Sequence, residues 1–555
     1  MATSNAKAVA GKSYTFGNGP WYGVLDTPEP FDDTPQKLQD LVNGYLVDPT
    51  TGCGVYARPG FVRSAPNLAL TQGQASALWT HTSLAGVTYR FAAVNGKLYR
   101  LSGTNFATQT DVTPVGVTID TAANPTARFY MRSFADTLIF TDGVHRPWLG
   151  TNLGSTPITG TYIDIDSAGT TWTSTAPPVE YTGSLFFIVS TYAGAAAVQA
   201  GVGIVWCEPN QPSVGYCQTN YADFWNLIQQ TGGQIGALAL TALAATNNAL
   251  YYFRRYSIGS VQGVPSLSFS GTATRDLVSQ NIGTAAPGSI TQFGPNIFFV
   301  DVFGRPFMFT EGGGITALWE QMRGQINANP GMLANQAATA LVAVGCVVPQ
   351  LNLVALSGWS SNPTGSATFG PLGVNTLYCF EQDSGTYMGR WQGTNTLVTF
   401  DALAIMNDPN NTPTFSAFSQ DAGLTGGTWL QALLSAGQWQ EVSQTTSATI
   451  PITAQTTRMG YAAATEWTLN VARAIEGGQA TPMALTTVGT NGSVSQGPVT
   501  PPASADGTYL AQWAPIGTTG RGFYAELTPT TTTTQWQLYR TEIDVTAADV
   551  QMSDA

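Results

Sequence analysis

VAVGCVV (342–348), NLVALS (352–357), TLYCFEQ (376–382) and GTYMGRW (385–391) are four short apolar segments separated by turns. Their length and their β-branched and aromatic content read as strands, and four in succession fold into one small antiparallel sheet. Such a sheet cannot bury both of its faces alone. Stacking similar sheets around an axis buries them and leaves only short edges, which is the construction of a propeller blade.

The same unit recurs on both sides of this stretch. Hairpin-like runs anchored at Leu98, Leu138, Leu185, Leu250, Ile297, Leu353 and Ser416 follow one another at spacings of 40, 47, 65, 47, 56 and 63 residues. Periods of this size with paired strands in each predict a β-propeller of six to seven blades over residues 76–444. The uneven spacing leaves open a set of unrelated sandwich hairpins. Residues 445–555 differ. Alternating strands ATIPITAQ (448–455), TEWTLNVARAI (465–475), GFYAELTP (522–529) and QWQLYRTEIDV (535–545) predict a β-sandwich-like platform domain, with 485–508 and 529–534 as loops. Residues 1–75 are expected to form an N-terminal packing and assembly segment with one short helix. Asp33 or Thr34 would cap that helix, Pro35 suits its first turn, Leu38, Leu41 and Val42 share a face, and Gly44 ends it.

Composition agrees with an all-β chain. Hydrophobic residues make up 43% of the 555, charged residues only 10%, and 60 glycines supply turns, a poor recipe for long solvated helices. The net charge is -12, and four of the 21 basic residues are lysines (Lys7, Lys12, Lys37, Lys97). An acidic, lysine-poor chain is poorly suited to gripping nucleic-acid phosphates. A charge-poor surface also suits a protein whose faces are covered by neighbours. Five cysteines, an odd number without CxxC spacing, predict reduced thiols. The N-terminus MATSNAK lacks the apolar core of a signal peptide. The uncharged stretch 184–206 is long enough to cross a membrane, but its glycines and flanking Glu180 and Glu208 favour two buried strands.

Chemistry-bearing patterns are sparse, and the chain is not expected to be an enzyme. No nucleophile elbow, phosphate loop or HExxH occurs. His145 lies in a turn and His81 in a strand. Asp164 and Asp166 alternate on one strand without a completed calcium-loop pattern, and Asp32-Asp33 suits a helix cap. The aromatics of 206–225 serve equally as sugar platforms or as core. No catalytic, cofactor or metal residue is assigned.

Several motifs read in order carry a resemblance. They are Leu41-Val42-Asn43 with Arg58-Pro59-Gly60; IVWCEP (204–209) before YADFWN (221–226); Leu250 to Phe253 with SIGSVQG (257–263); NIGTAAPGSI (281–290) followed by Gly304-Arg305-Pro306; and Gly520-Arg521-Gly522-Phe523-Tyr524. Together they resemble the tail nozzle or tail hub proteins of short-tailed bacteriophages, over nearly the whole chain. The insert Cys53 to Tyr56 departs from the simpler turn of that pattern. The resemblance implies a structural virion protein in a six-fold homo-oligomeric ring at the distal tail. Its partners would be upstream adaptor and portal proteins, tail fibres or tip proteins, and genomic double-stranded DNA passing without tight binding. The alternatives are an extracellular β-propeller lectin or glycoside hydrolase, and a receptor-binding tail fibre or spike.

Overall fold

A computed structural model of the chain describes residues 13–18, 21, 38–46, 54–63 and most of 75–547. The larger internal stretches outside it are 118–128, 208–223, 227–238, 264–273, 324–340, 362–375, 393–399, 421–426, 433–439, 461–466 and 530–535. Strands dominate throughout. Five four-stranded antiparallel sheets stand alone: blade 1 (75–111), blade 2 (130–162), blade 3 (179–226), blade 4 (240–279) and blade 5 (291–317). Blade 6 (345–392) and blade 7 (402–432) have the same plan inside larger sheets. The four segments that open the sequence reading are the four strands of blade 6, Gly345–Val348, Leu353–Ser357, Thr376–Glu381 and Tyr387–Gln392.

Strand periodicity explains how the blades stack. Successive side chains point to opposite faces, so a strand apolar at every position can serve two neighbours. Leu138 and Phe140 pack with blade 1, while Ile139 between them packs with blade 3. Phe186 and Ile188 face blade 4, and Leu185, Phe187 and Val189 face blade 2. Tyr251 and Phe253 meet Phe299, Phe307 and Phe309 of blade 5. Each fully buried side chain of this size contributes about 1.5–3 kcal/mol, so the blade interfaces form the core. The circle closes where Leu78, Ala92 and Leu101 of blade 1 pack with Ala402, Ala404 and Met406 of blade 7.

Blade 7 is completed from the other end of the chain. Its fourth strand is Phe61–Arg63, antiparallel to Leu430, Gln431 and Ala432. The boundary drawn at residue 75 therefore cuts off a blade strand. The other described strands of the N-terminal segment build the platform. Ser13–Asn18, Gly44–Leu46 and Val55–Ala57 join Trp467–Gly478, Tyr509–Trp513, Thr518–Gly520 and Trp536–Ala547 in one sheet. Leu38–Val42 pairs with Thr453–Thr456 on one side and, parallel, with the last strand of blade 6 on the other. A ten-stranded sheet thus runs from blade 6 through Leu38–Val42 to Gly522–Pro529, Met483–Gly489 and Gly492–Val499. The two sheets form a sandwich over Leu469, Ala474, Met483, Leu485, Trp513, Leu527 and Leu538.

Two expectations are corrected. Residues 38–42 are a strand, not a helix: a register shift between Leu38 and Asp40 lets both Leu38 and Leu41 reach the core at a spacing that mimics a helical face. Asp33, Thr34 and Pro35 lie outside the described residues. Residues 485–499 are not a loop but most of a hairpin, in which Met483, Leu485 and Thr487 are buried at alternate positions.

Candidate functional site: the joint between propeller and sandwich

The most elaborate polar arrangement lies where blade 6, blade 7 and the sandwich meet. Arg58 is 0% exposed. Its Nε donates to Asn43 Oδ1 at 2.9 Å, Nη1 to the Pro59 carbonyl at 3.0 Å and Nη2 to the Gln392 carbonyl at 2.8 Å. Asn43 Oδ1 also accepts from the Gln392 amide at 2.7 Å, and the Asn43 amide donates to the Arg390 carbonyl. Trp391 Nε1 donates to the Gly44 carbonyl at 3.0 Å, and Arg390 Nη2 to Asp40 Oδ2 at 2.8 Å. The Arg58 guanidinium stands 5.1 Å from the Phe61 ring centroid. A planar fork of five donors matches this set of fixed carbonyls, which a lysine cannot do. The Arg58-Pro59-Gly60 motif is therefore a clamp joining N-terminal segment, propeller and sandwich.

The second arginine of the resemblance behaves alike. Asp301, 2% exposed, accepts from the Phe303 and Arg305 amides and from Arg305 Nε and Nη2 at 2.6–2.9 Å. Burial pushes its carboxyl up, against the pull of Arg305. The 281–290 motif links blades 4 and 5: Thr284 Oγ1 donates to the Val300 carbonyl at 2.6 Å, and Ser289 Oγ to that of Ala286 at 2.7 Å. A Cβ on Gly283 would stand 2.0 Å from the Arg254 carbonyl oxygen, so no other residue fits there.

The remaining residues singled out in the sequence are scattered. Asp164 pairs with Arg146, which also donates to the Gly169 carbonyl and lies over the Tyr162 ring; Asp166 and Asp32-Asp33 lie outside the described residues. His145 Nδ1 is 2.6 Å from Asp142 Oδ2, and its amide donates to Asp142 Oδ1, as a turn requires. His81 is buried, with Nδ1 2.9 Å from Ser133 Oγ, which also accepts from Trp79 Nε1. Burial lowers the His81 pKa, partly offset by Asp136. Arg254 is buried over the Tyr252 ring. Trp206 stacks on Phe186 within the core between blades 3 and 4. Burial pushes the Cys346 thiol up to about 12 and raises that of Cys379 as well. Among the described residues no three His, Cys, Asp or Glu side chains converge as a metal site.

Sequence reasoning missed Glu476. Its side chain is 0% exposed inside the sandwich, beside a register shift between Ile475 and Glu476. Burial pushes its carboxyl up to about 8, the Thr481 amide and the Trp536 indole pulling the other way. Neither of these stands in good hydrogen-bond geometry to either oxygen. The only sequence signal was a charged residue within an apolar strand, before Gly477-Gly478.

No family model matches the sequence, and no curated protein matches it. Among solved structures, the extracellular domain of BT4673 from B. thetaiotaomicron is similar with a TM-score of 0.35 and 10% identity, over 68% of this chain and 40% of that one. PorZ, a surface component of the type-IX secretion system of Porphyromonas gingivalis, is similar with a TM-score of 0.31 and 11% identity, over 72% and 43%. The chain thus spans about two fifths of each, and likenesses of this degree say nothing of activity.

Proposed function

We propose that this chain is a structural virion protein of a short-tailed phage, acting as a ring-forming nozzle or hub subunit that conducts and gates DNA rather than catalysing a reaction. The observation that carries the reading is the continuous ten-stranded sheet from blade 6 into the sandwich, clamped at Arg58. It makes propeller and platform one stiff body, as a wall under the pressure of a passing genome requires. The motif resemblance supports this reading of the assembly.

The placement of the arginines is compatible with a conduit, although the fold itself accounts for it. Arg58, Arg100, Arg146, Arg305, Arg390 and Arg473 are engaged by carbonyls or carboxylates of the same chain, and Arg254 is buried. Seven of the 21 basic residues are thus occupied within the subunit, which lowers the number that could hold phosphate and favours a sliding polyanion. Native mass spectrometry of the full chain, alone and with the upstream tail component, tests the ring: six-fold closure is expected, and a trimer would favour a fibre or spike. Duplex DNA titrated at roughly 20 mM salt, where screening is weak, is expected not to bind tightly. The rival is an extracellular propeller that binds or cleaves glycans. The two solved structures above are extracellular or surface proteins, though TM-scores of 0.35 and 0.31 carry no argument toward it. Glycan affinity in a monomer would replace the ring reading with that one.

A further inference from the structure

We infer that His81 is an acid-sensitive latch between blades 1 and 2, and that a proton taken up by its enclosed imidazole loosens this seam. The inference is independent of the ring reading.

Along Ala75–Thr82 successive side chains point to opposite faces. Thr80 turns to blade 7, where its hydroxyl lies 3.4 Å from Met406 Sδ, so Trp79 and His81 turn to blade 2. Both end on Ser133 of the first strand there. Ser133 Oγ accepts from Trp79 Nε1 at 2.7 Å and stands 2.9 Å from His81 Nδ1. With the indole already donating to it, the hydroxyl can turn its own proton on Nδ1, which leaves the neutral ring's proton on Nε2. Nε2 is enclosed and meets no hydrogen-bond partner among the described residues, and His81 as a whole is 0% exposed. A second ring proton has to sit on Nδ1, facing the hydroxyl proton directed at it. The chain from Trp79 through Ser133 to His81 is then broken, and a charge is left inside with no acceptor at Nε2.

The surroundings set the direction of the effect. Asp136, exposed in the turn after Ser133 and accepting from the Leu84 amide, favours the charged ring. Tyr89 stacks on the imidazole with centroids 6.4 Å apart. Arg90, whose Nε donates to the Asn407 carbonyl, turns to blade 7. Tyr130 and Arg132 alternate with Met131 and Ser133, so they lie on the blade 3 face of their strand, where Glu180 acts on Arg132. Ala402–Asn407 and Pro413–Gln420, the blade 7 strands against Ala75–Thr82, carry no charge. Burial outweighs Asp136 and holds the imidazole below its usual 6.5. A seam that opens restores the ordinary value and so takes up a proton. The seam is therefore at full strength above about 6.5 and weakens as pH falls below it.

Hydrogen exchange on the full chain from about pH 8 to about pH 5, with the intrinsic pH effect removed, tests the latch. Opening of Ala75–Thr82 and Tyr130–Phe134 is expected to rise below pH 6.5, by at most about tenfold per pH unit, while Ala249–Arg254 of blade 4 stays level. His81→Asn keeps an acceptor at the Nδ1 position and cannot take a proton, so it is expected to flatten that rise. Because the chain has only two histidines, a His145→Gln variant assigns the two imidazole proton signals of the natural protein. The His81 signal is expected to titrate below 6.5, which decides the matter should the asparagine variant fail to fold. A level opening equilibrium at both strands, a rise that persists in His81→Asn, or a His81 signal titrating at 6.5 or above would each overturn the latch.

Discussion

Replacing Glu476 by Gln should remove most of the pH dependence of the sandwich. In the folded chain burial pushes the carboxyl up to about 8 from an ordinary 4.5, and the side chain is wholly enclosed. Between those values the native state holds a proton that the unfolded chain has released. Stability tied to the neutral form is therefore fully present below about 4.5 and is lost as pH rises through about 8. At about 1.4 kcal/mol per pH unit, the whole effect is on the order of 5 kcal/mol. Glutamine keeps the shape of the protonated acid and cannot ionise. The readout is local: hydrogen exchange in Trp467–Gly478 and Trp536–Ala547, from pH 5 to 9, converted to opening free energies with the intrinsic pH effect removed. The natural chain should open more easily at pH 9 than at pH 5, whereas the Glu476→Gln variant should show nearly the same opening free energy at both. Equal slopes in the two proteins would mean that Glu476 is ionised inside the sandwich and that a partner stabilises its charge, refuting the burial argument.

Arg58→Lys should cost about 3 kcal/mol, because a point charge cannot satisfy three buried acceptors at once; calorimetry should then separate propeller and sandwich melting, and an unchanged single transition would count against the clamp. Gly160→Ala would set a Cβ 1.8 Å from the Leu149 carbonyl oxygen and should destabilise blade 2 by about 3 kcal/mol, read as a lowered urea midpoint; no shift would mean the strand can move aside. A chain of residues 76–444 lacks Phe61–Arg63 and should fail to give a cooperative melt, whereas one restored to begin at residue 38 should recover blade 7; a cooperative melt of the shorter chain would show that the fourth strand is dispensable.

What was legible in the sequence follows from where the periodicity was visible. Blade strands announce themselves because both faces are buried, giving runs such as SLFFIV (184–189) and NIFFV (296–300). Anchors placed on those runs give one per blade, although Leu98 marks the third strand of blade 1 while the other six mark second strands. Leu38–Val42 was misread because a bulge changed a period of two into an apparent period of three. Met483–Gly489 and Gly492–Val499 were misread because Thr, Ser and Gly look like loop composition, although Asn491-Gly492 between them is a hairpin signal. Phe61–Arg63 could not be read at all. Three residues carry no periodic signal, and their antiparallel partner lies at 430–432, at the far end of the propeller.

The ratio of seventeen arginines to four lysines, read at first as a statement about partners, has a sufficient cause inside the fold. Blades connect through turns whose carbonyls are buried between sheets, and each such carbonyl needs a donor. Arg58 serves Pro59 and Gln392, Arg100 serves Leu153 and Ser155 of the next blade, and Arg146 serves Gly169 together with Asp164. One guanidinium reaches several acceptors in a fixed plane, whereas an ammonium, strongly hydrated, gives up more on burial. A chain made of many small sheets therefore accumulates arginine at its joints without any reference to DNA or to a ring. It follows that low charge cannot be counted as support for assembly. That support has to come from the contacts that copies of the chain make with one another.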